Sequence, residues 1–135
     1  MRVKCVKNRL AEIVELEVRE RLRHSIHLDG TIDGLVIGRE YPVQAVELWE
    51  DGGLWFYLHT VAVSDYPYPY PAEMFEIPDN KIPSEWSICF QAQRGSIVWK
   101  RIAFSAWANN EHFYERLVDG DAEAVSAYRQ QMARI

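Results

Sequence analysis

The sequence predicts an α+β fold: a small, strongly bent antiparallel sheet or partial barrel, with an N-terminal helix and two C-terminal helices covering it. Three observations carry that prediction. Between residues 35 and 103, short β-rich runs of alternating polarity are punctuated by Gly, Pro, Asn and Asp. From residue 104 onward the apolar spacing lengthens toward that of a helix. The chain has 135 residues, enough for one domain, 1–135, to bury a core without metals or disulfides.

Each element follows from local pattern. Residues 2–6 alternate polar and apolar and read as a strand with Val3, Cys5 or their neighbours facing inward. Residues 9–28 contain Leu10, Ile13, Val18, Leu22 and Ile26 near helical spacing, with Asn8 as a possible N-cap, although Val14, Leu16 and Val18 also alternate like a strand. A helix is favoured. Asp29-Gly30 and Asp33-Gly34 are turn dipeptides. A strand over Leu35–Glu47 follows, then a hairpin turn at Glu50-Asp51-Gly52-Gly53 and a return strand through LWFYLHTVAV. AEMFEI reads as a short strand, residues 78–81 as a turn, and SEWSICFQAQ as a strand with Trp86, Ile88 and Phe90 on one face. Arg94-Gly95-Ser96 turns into IVWKRIAF. Two helices close the chain: NNEHFYERLVDG, capped by Asn109 or Asn110 and stopped by Gly120, and AEAVSAYRQQMAR, capped by Asp121 with Val125, Tyr128 and Met132 as its apolar stripe.

The segment DYPYPYP, residues 65–71, sets Tyr66, Tyr68 and Tyr70 each before a proline. Proline fixes φ and removes an N–H, so this run cannot be an interior strand and extends as polyproline II or as a sheet edge. Its tyrosines splay, so that at least one packs inward and at least one faces solvent.

The run Leu35-Val36-Ile37-Gly38-Arg39-Glu40-Tyr41-Pro42-Val43, the strand Trp55-Phe56-Tyr57-Leu58 and the run Pro71-Ala72-Glu73-Met74-Phe75-Glu76-Ile77 come in that order. Together they resemble the pattern L-x-x-G-x-x-Y-x-V … W-Y-Y-I … P-x-x-x-F-E-V of small SH3-like barrel proteins of bacteria and their phages, some of which are toxin-immunity proteins. The resemblance spans residues 35–90. It implies an SH3-like partial barrel and a non-catalytic binding module.

Composition narrows the function further. Fifteen basic against twenty acidic residues give a net charge of −5, which argues against a protein built to grip phosphate backbones. Arg19, Arg21 and Arg23 form a local basic strip, but Glu12, Glu15, Glu17 and Glu20 interleave with it and predict an ion-paired face. No apolar run approaches a membrane span, and the basic residues of MRVKCVKNRL leave no signal-peptide core, so a cytoplasmic protein with free, buried Cys5 and Cys89 is expected. His24, His27 and Asp29 could begin a metal site, yet nothing in the spacing supplies further ligands, and no metal or cofactor is predicted. Neither a nucleophile elbow nor a phosphate-binding glycine loop is present, so no catalytic residue is assigned. What remains is an acidic, aromatic surface: Trp49, Glu50, Asp51 and Trp55 in one loop, Asp65, Tyr66, Tyr68 and Tyr70 in another. Aromatic side chains are enriched where proteins meet, and negative charge suits a basic partner. The expected function is to bind and neutralise a protein, such as a basic toxin; a small metal- or His-dependent enzyme and a nucleic-acid-associated adaptor are the alternatives.

Overall fold

The structure, a computed structural model, describes residues 1–26, 30–60 and 64–134. Among them are β1 (Arg2–Cys5), α1 (Leu16–Arg23), β2 (Glu40–Leu48), β3 (Leu54–Leu58), β4 (Tyr68–Pro71), β5 (Phe75–Asp79), β6 (Trp86–Gln93), β7 (Ser96–Phe104), α2 (Ser105–Ala108), α3 (Phe113–Val118) and α4 (Ala122–Met132). The class is α+β, as expected. All strand pairs are antiparallel in an open sheet of order β4-β3-β2-β1-β5, with β7 also against β2 and β6 against β7.

Strand β2 is the hub. Its start, Glu40–Pro42, pairs with β1, and Ala45–Glu47 pairs with β7, while β3 runs along the opposite edge. Between these portions Gln44 is an extra residue relative to β3, since Val43 faces Leu58 but Ala45 faces Tyr57. A bulge bends its strand and increases the twist, and here it splits the sheet into two arms, β1-β5 and β7-β6. The expected β core of 35–103 is therefore too narrow, because residues 2–5 are an interior strand of the sheet.

Two cores lie on the two faces of this hub. One gathers Val3, Cys5, Ile13, Leu22, Tyr41, Val43, Val46, Phe56, Leu58 and Met74 beneath the N-terminal segment. The other sets Ala45, Tyr57 and Ala103 against Trp107, Phe113, Leu117, Ala124 and Tyr128 of the C-terminal helices. Strands covered on both sides lose their polar–apolar alternation. Accordingly Val43–Val46 and Trp55–Leu58 are buried without a break.

The N-terminal segment departs from the expected single helix. A 3₁₀ turn at Leu10–Glu12 and α1 are separated by extended backbone at Ile13 (φ −81°, ψ 118°). Branching at Cβ lowers helix propensity at Ile13 and Val14. The break lets Ile13 enter the core at 1% exposure and leaves Val14 outside at 84%. Asn8 is not a helix cap; its Nδ2 donates to the Leu35 carbonyl at 3.2 Å.

Other differences are local. The strand expected from Leu35 begins only at Glu40, after a turn in which Gly38 takes φ +88°. AEMFEI divides into a 3₁₀ turn over Ala72–Met74 and the start of β5. Helix α2, following directly from β7, was not expected; it inserts Trp107 and Ala108 into the second core. The final helices match the reading in their stop and second cap, with Gly120 at φ +78° after α3 and Asp121 Oδ2 accepting from the Ala124 N–H at 3.1 Å as the α4 cap. Helix α3, however, starts after His112 with no side-chain cap, and the expected cap Asn110 instead accepts from the His112 N–H at 3.0 Å in the preceding turn. Of the two free cysteines Cys5 is fully buried, but Cys89, expected inside, is half-exposed on β6. Burial raises the Cys5 thiol above its ordinary range.

Candidate partner-binding surface

The first loop expected to meet a partner is largely engaged with the protein itself. Trp55 is 3% exposed, and Trp49, across the hairpin, stacks on it with ring centroids 3.8 Å apart and planes at 11°. The rings form a cross-strand pair, which removes Trp55 from any binding surface and leaves Trp49 half-buried. The Asp51 carboxylate accepts from the Gly53 N–H at 2.8 Å and lies 3.8 Å from Arg21 Nε. Arg21 also reaches Glu73 at 2.5 Å, and a Cβ at Gly53 would press on its guanidinium. One arginine on α1 thus ties the hairpin turn to the segment before β5. Of the four loop residues Glu50 and Asp51 are exposed, and the Asp51 carboxylate is already engaged within the protein.

Glu47, beside this loop, has an internal role. Its Oε2 accepts from Arg101 Nε at 2.8 Å and its Oε1 from the Tyr57 hydroxyl at 3.1 Å. Arg101 is 4% exposed, so the pair holds a cation where β2 meets β7. Burial and the nearby Glu47 carboxylate push the Tyr57 phenol above its ordinary range.

The Tyr-Pro run is an edge strand, in line with its sequence, but it does not present three rings. Tyr70 is 6% exposed; its hydroxyl lies 2.6 Å from Thr60 Oγ1 and donates to the Asp33 carbonyl at 3.1 Å. Tyr70 is therefore a clamp and is removed from the binding surface. Tyr66 and Tyr68 remain half-exposed, edge-on to each other at 5.3 Å, with Tyr66 leaning on Tyr114 at 6.3 Å. The Tyr114 hydroxyl in turn donates to the Pro67 carbonyl at 2.7 Å. Asp65 is exposed, with Arg129 at 3.9 Å.

The histidine and arginine candidates are dispersed. His24 ends α1, His59 stacks on Tyr128 at 5.6 Å, and His112 Nδ1 lies 3.5 Å from Glu115. His27 and Asp29 lie outside the described residues. Burial lowers the His59 pKa and favours its neutral form. Among the described residues no three His, Cys, Asp or Glu side chains converge as metal ligands. In the arginine strip Arg23 pairs with Glu20 at 3.2 Å, and Arg21 pairs as above.

Three of the exposed large apolar side chains gather on the β6–β7 hairpin, where alternation places Trp86, Ile88 and Phe90 on one face. Register places Ile88 opposite Ile102, Phe90 opposite Trp99 and Ala92 opposite Ile97, so these six side chains share one face with Trp86. That face continues the first core, on which Trp86, Trp99 and Ile102 pack. Farther out its cover ends: Ile88 is 49% exposed, Phe90 63% and Ile97 77%. The opposite face carries Ser87, Gln91, Gln93 and Ser96. There the hairpin and Trp49 enclose a groove of about 220 Å³, lined by Gln91, Gln93, Val98, Lys100 and Glu50. The signal for this surface was in the sequence, as Trp86, Ile88 and Phe90 at period two. Alternation reveals a shared face and is silent on whether anything covers it.

No protein-family model matches the chain, and no curated protein or solved structure is similar to it. No helix among the described residues is long and apolar enough to cross a membrane.

Proposed function

We propose that this chain is a non-catalytic protein-binding module, and that it binds through the apolar face of the β6–β7 hairpin. The observation that carries the reading is Ile88, Phe90 and Ile97 side by side on a face that leaves the core uncovered. Contiguous exposed apolar side chains with a polar rim mark interaction sites, and aromatic anchors such as Phe90 beside Trp99 fit the centre of one. The net charge of −5 favours a partner with a basic rim around an apolar centre. An immunity-type inhibitor that neutralises a basic toxin meets that description. The SH3-like partial barrel is the fold we assign to the bent sheet, supported by the likeness of residues 35–90 and by the division of the sheet at β2.

The test is binding of the purified chain to the protein encoded next to its gene, measured by calorimetry, with Phe90→Asp and Ile97→Asp as the paired variant. Central interface residues are worth about 2 kcal/mol or more each, ~30-fold apiece, so the paired variant should weaken binding by well over ~30-fold, toward ~10³-fold where the two losses add. Cells expressing the partner should lose their protection in parallel. Absence of binding, or binding that the variant leaves intact, refutes the reading.

A further inference from the structure

Among the described residues the sheet has three outer edges, and two carry devices that stop another strand from pairing. Strand β4 reads Tyr-Pro-Tyr-Pro. In an antiparallel ladder each residue points its N–H and C=O to one side, and neighbours alternate. Prolines have no N–H, so the donors facing β3 belong to Tyr68 and Tyr70, and the outer side of β4 offers none. Strand β5 reads Phe-Glu-Ile-Pro-Asp, with two charges and a proline in five residues. Charge and proline are the usual means by which proteins blunt sheet edges.

Strand β6 has neither. It reads Trp-Ser-Ile-Cys-Phe-Gln-Ala-Gln, eight residues without charge, proline or glycine. Its only strand partner among the described residues is β7. The irregularity in this hairpin is on the inner strand: Cys89 faces Arg101 while Phe90 faces Trp99, so Lys100 of β7 is the extra residue and β6 itself stays regular.

We propose that β6 pairs antiparallel with β6 of a second copy of this chain, with the two-fold axis at Cys89. A two-fold interface sets each residue opposite a fixed counterpart. With Cys89 on the axis, Ile88 meets Phe90, Trp86 meets Ala92 and Ser87 meets Gln91, each from the other copy. Polarity is thus mirrored about Cys89, apolar against apolar on one face and polar against polar on the other. Net charge opposes a second copy, so the strand on which two copies meet must itself be uncharged. Two molecules of net charge −5 repel, and β6 is a strand on which they can meet without setting like charges opposite each other. The pairing would join two hairpins into one four-stranded sheet and bring both copies of Ile88, Phe90 and Ile97 onto a common face. It depends on the edge of β6, not on what binds that face.

The experiment is sedimentation equilibrium of the full chain over a concentration series, with the Ser87→Lys/Gln91→Lys double variant beside it. The expected mass rises from 15.8 kDa toward twice that value. The double variant sets like charges opposite each other at two places across the axis and should stay at the monomer mass, while its circular dichroism and thermal unfolding remain those of the parent. Its substitutions avoid the apolar face, so partner binding through that face should survive and the two proposals are separable. Diamide, which takes up the two thiol hydrogens as the disulfide forms, should cross-link the parent into a covalent dimer and leave Cys89→Ser uncross-linked. A monomer at all concentrations overturns the proposal. So does a dimer that persists in the folded double variant or that fails to cross-link through Cys89.

Discussion

Strands β4 and β6 are both outer strands of one sheet, and the chain treats them in opposite ways. In β4 the prolines silence the outer edge and the tyrosines turn to structural use, Tyr70 bonding to Thr60 and Asp33 and the neighbouring Tyr66 leaning on Tyr114. In β6 the edge is uncharged and open, and Ile88 and Phe90 stand in solvent. The conspicuous aromatic run is the closed edge. The plain one, which looks like an ordinary core strand, is the edge left open. Recognition surfaces are thus better sought in what a fold leaves uncovered than in which residues draw the eye.

The largest effect on this contrast should come from the root of the open hairpin. Arg101 is 4% exposed and its charge is met by Glu47, which also accepts from Tyr57. Arg101→Leu leaves the Glu47 carboxylate without its cation in a closed site, and breaking a buried pair from one side costs about 3–5 kcal/mol. Chemical denaturation should show that loss. Replacing both partners, as Glu47→Leu/Arg101→Leu, should recover part of it, because no orphan charge remains. A single variant as stable as the parent would mean that the hairpin is not anchored there.

Alkaline pH should act on the opposite region, the tyrosine-rich closed side. Tyr57, Tyr70, Tyr114 and Tyr128 all have phenols raised above the ordinary value, each mainly by burial. The folded state therefore resists their ionisation more than the unfolded chain does. Their contribution to stability is complete below about pH 10 and is lost as pH rises above it, when the unfolded chain sheds phenolic protons that the folded one keeps. Denaturation midpoints should stay level from neutrality to about pH 9 and fall steeply above about pH 10, with phenolate absorbance rising in step with unfolding. Phenolate that forms fully before unfolding would contradict the burial of these rings.

A smaller effect is expected from Tyr70→Phe, which keeps the ring and deletes the hydroxyl shared with Thr60 and the Asp33 carbonyl. Such bonds contribute about 1 kcal/mol each, and an acceptor or donor left buried raises the cost, so a loss of about 1–2 kcal/mol is expected in urea. Tyr66→Phe, at a ring that is half-exposed, should be close to neutral. Equal losses at the two positions would erase the distinction between a clamp and a bystander within the run.

How much of this was legible in the sequence depends on how local the cause is. Turns were: Gly52, Gly95 and Gly120 hold φ of +84°, +78° and +78° where the sequence placed turns or a helix stop, because positive φ is a property of the residue itself. The Asp121 cap was legible for the same reason. The run at Trp55–Leu58 was read as a strand, yet its burial on both faces depends on α2–α4 and the N-terminal segment arriving from far along the chain. The candidate site failed by the same measure. Trp55 and Tyr70 were chosen for their chemistry, and tertiary contacts buried them; Phe90 was placed by alternation on one face with Trp86 and Ile88, and the absence of a covering element among the described residues leaves that face open.

The smallest change in stability should accompany the clearest change in surface behaviour. Phe90 is 63% exposed and Ile97 77%, so truncating either removes little buried area. Phe90→Ser should shift the unfolding free energy by no more than about 0.5 kcal/mol, as exposed positions do, whereas a fully buried aromatic such as Trp107, at 0% exposure, should cost about 3–5 kcal/mol when cut to alanine. The same Phe90→Ser variant should lower the fluorescence of a dye that binds apolar surface and shorten retention on a hydrophobic-interaction column. Retention equal to the parent's, with Ile97→Ser equally silent, would show that these side chains fold back against the hairpin in solution, and the open region would then resemble the closed one. A large stability loss would say instead that Phe90 is core, and that β6 meets its partner already within the fold.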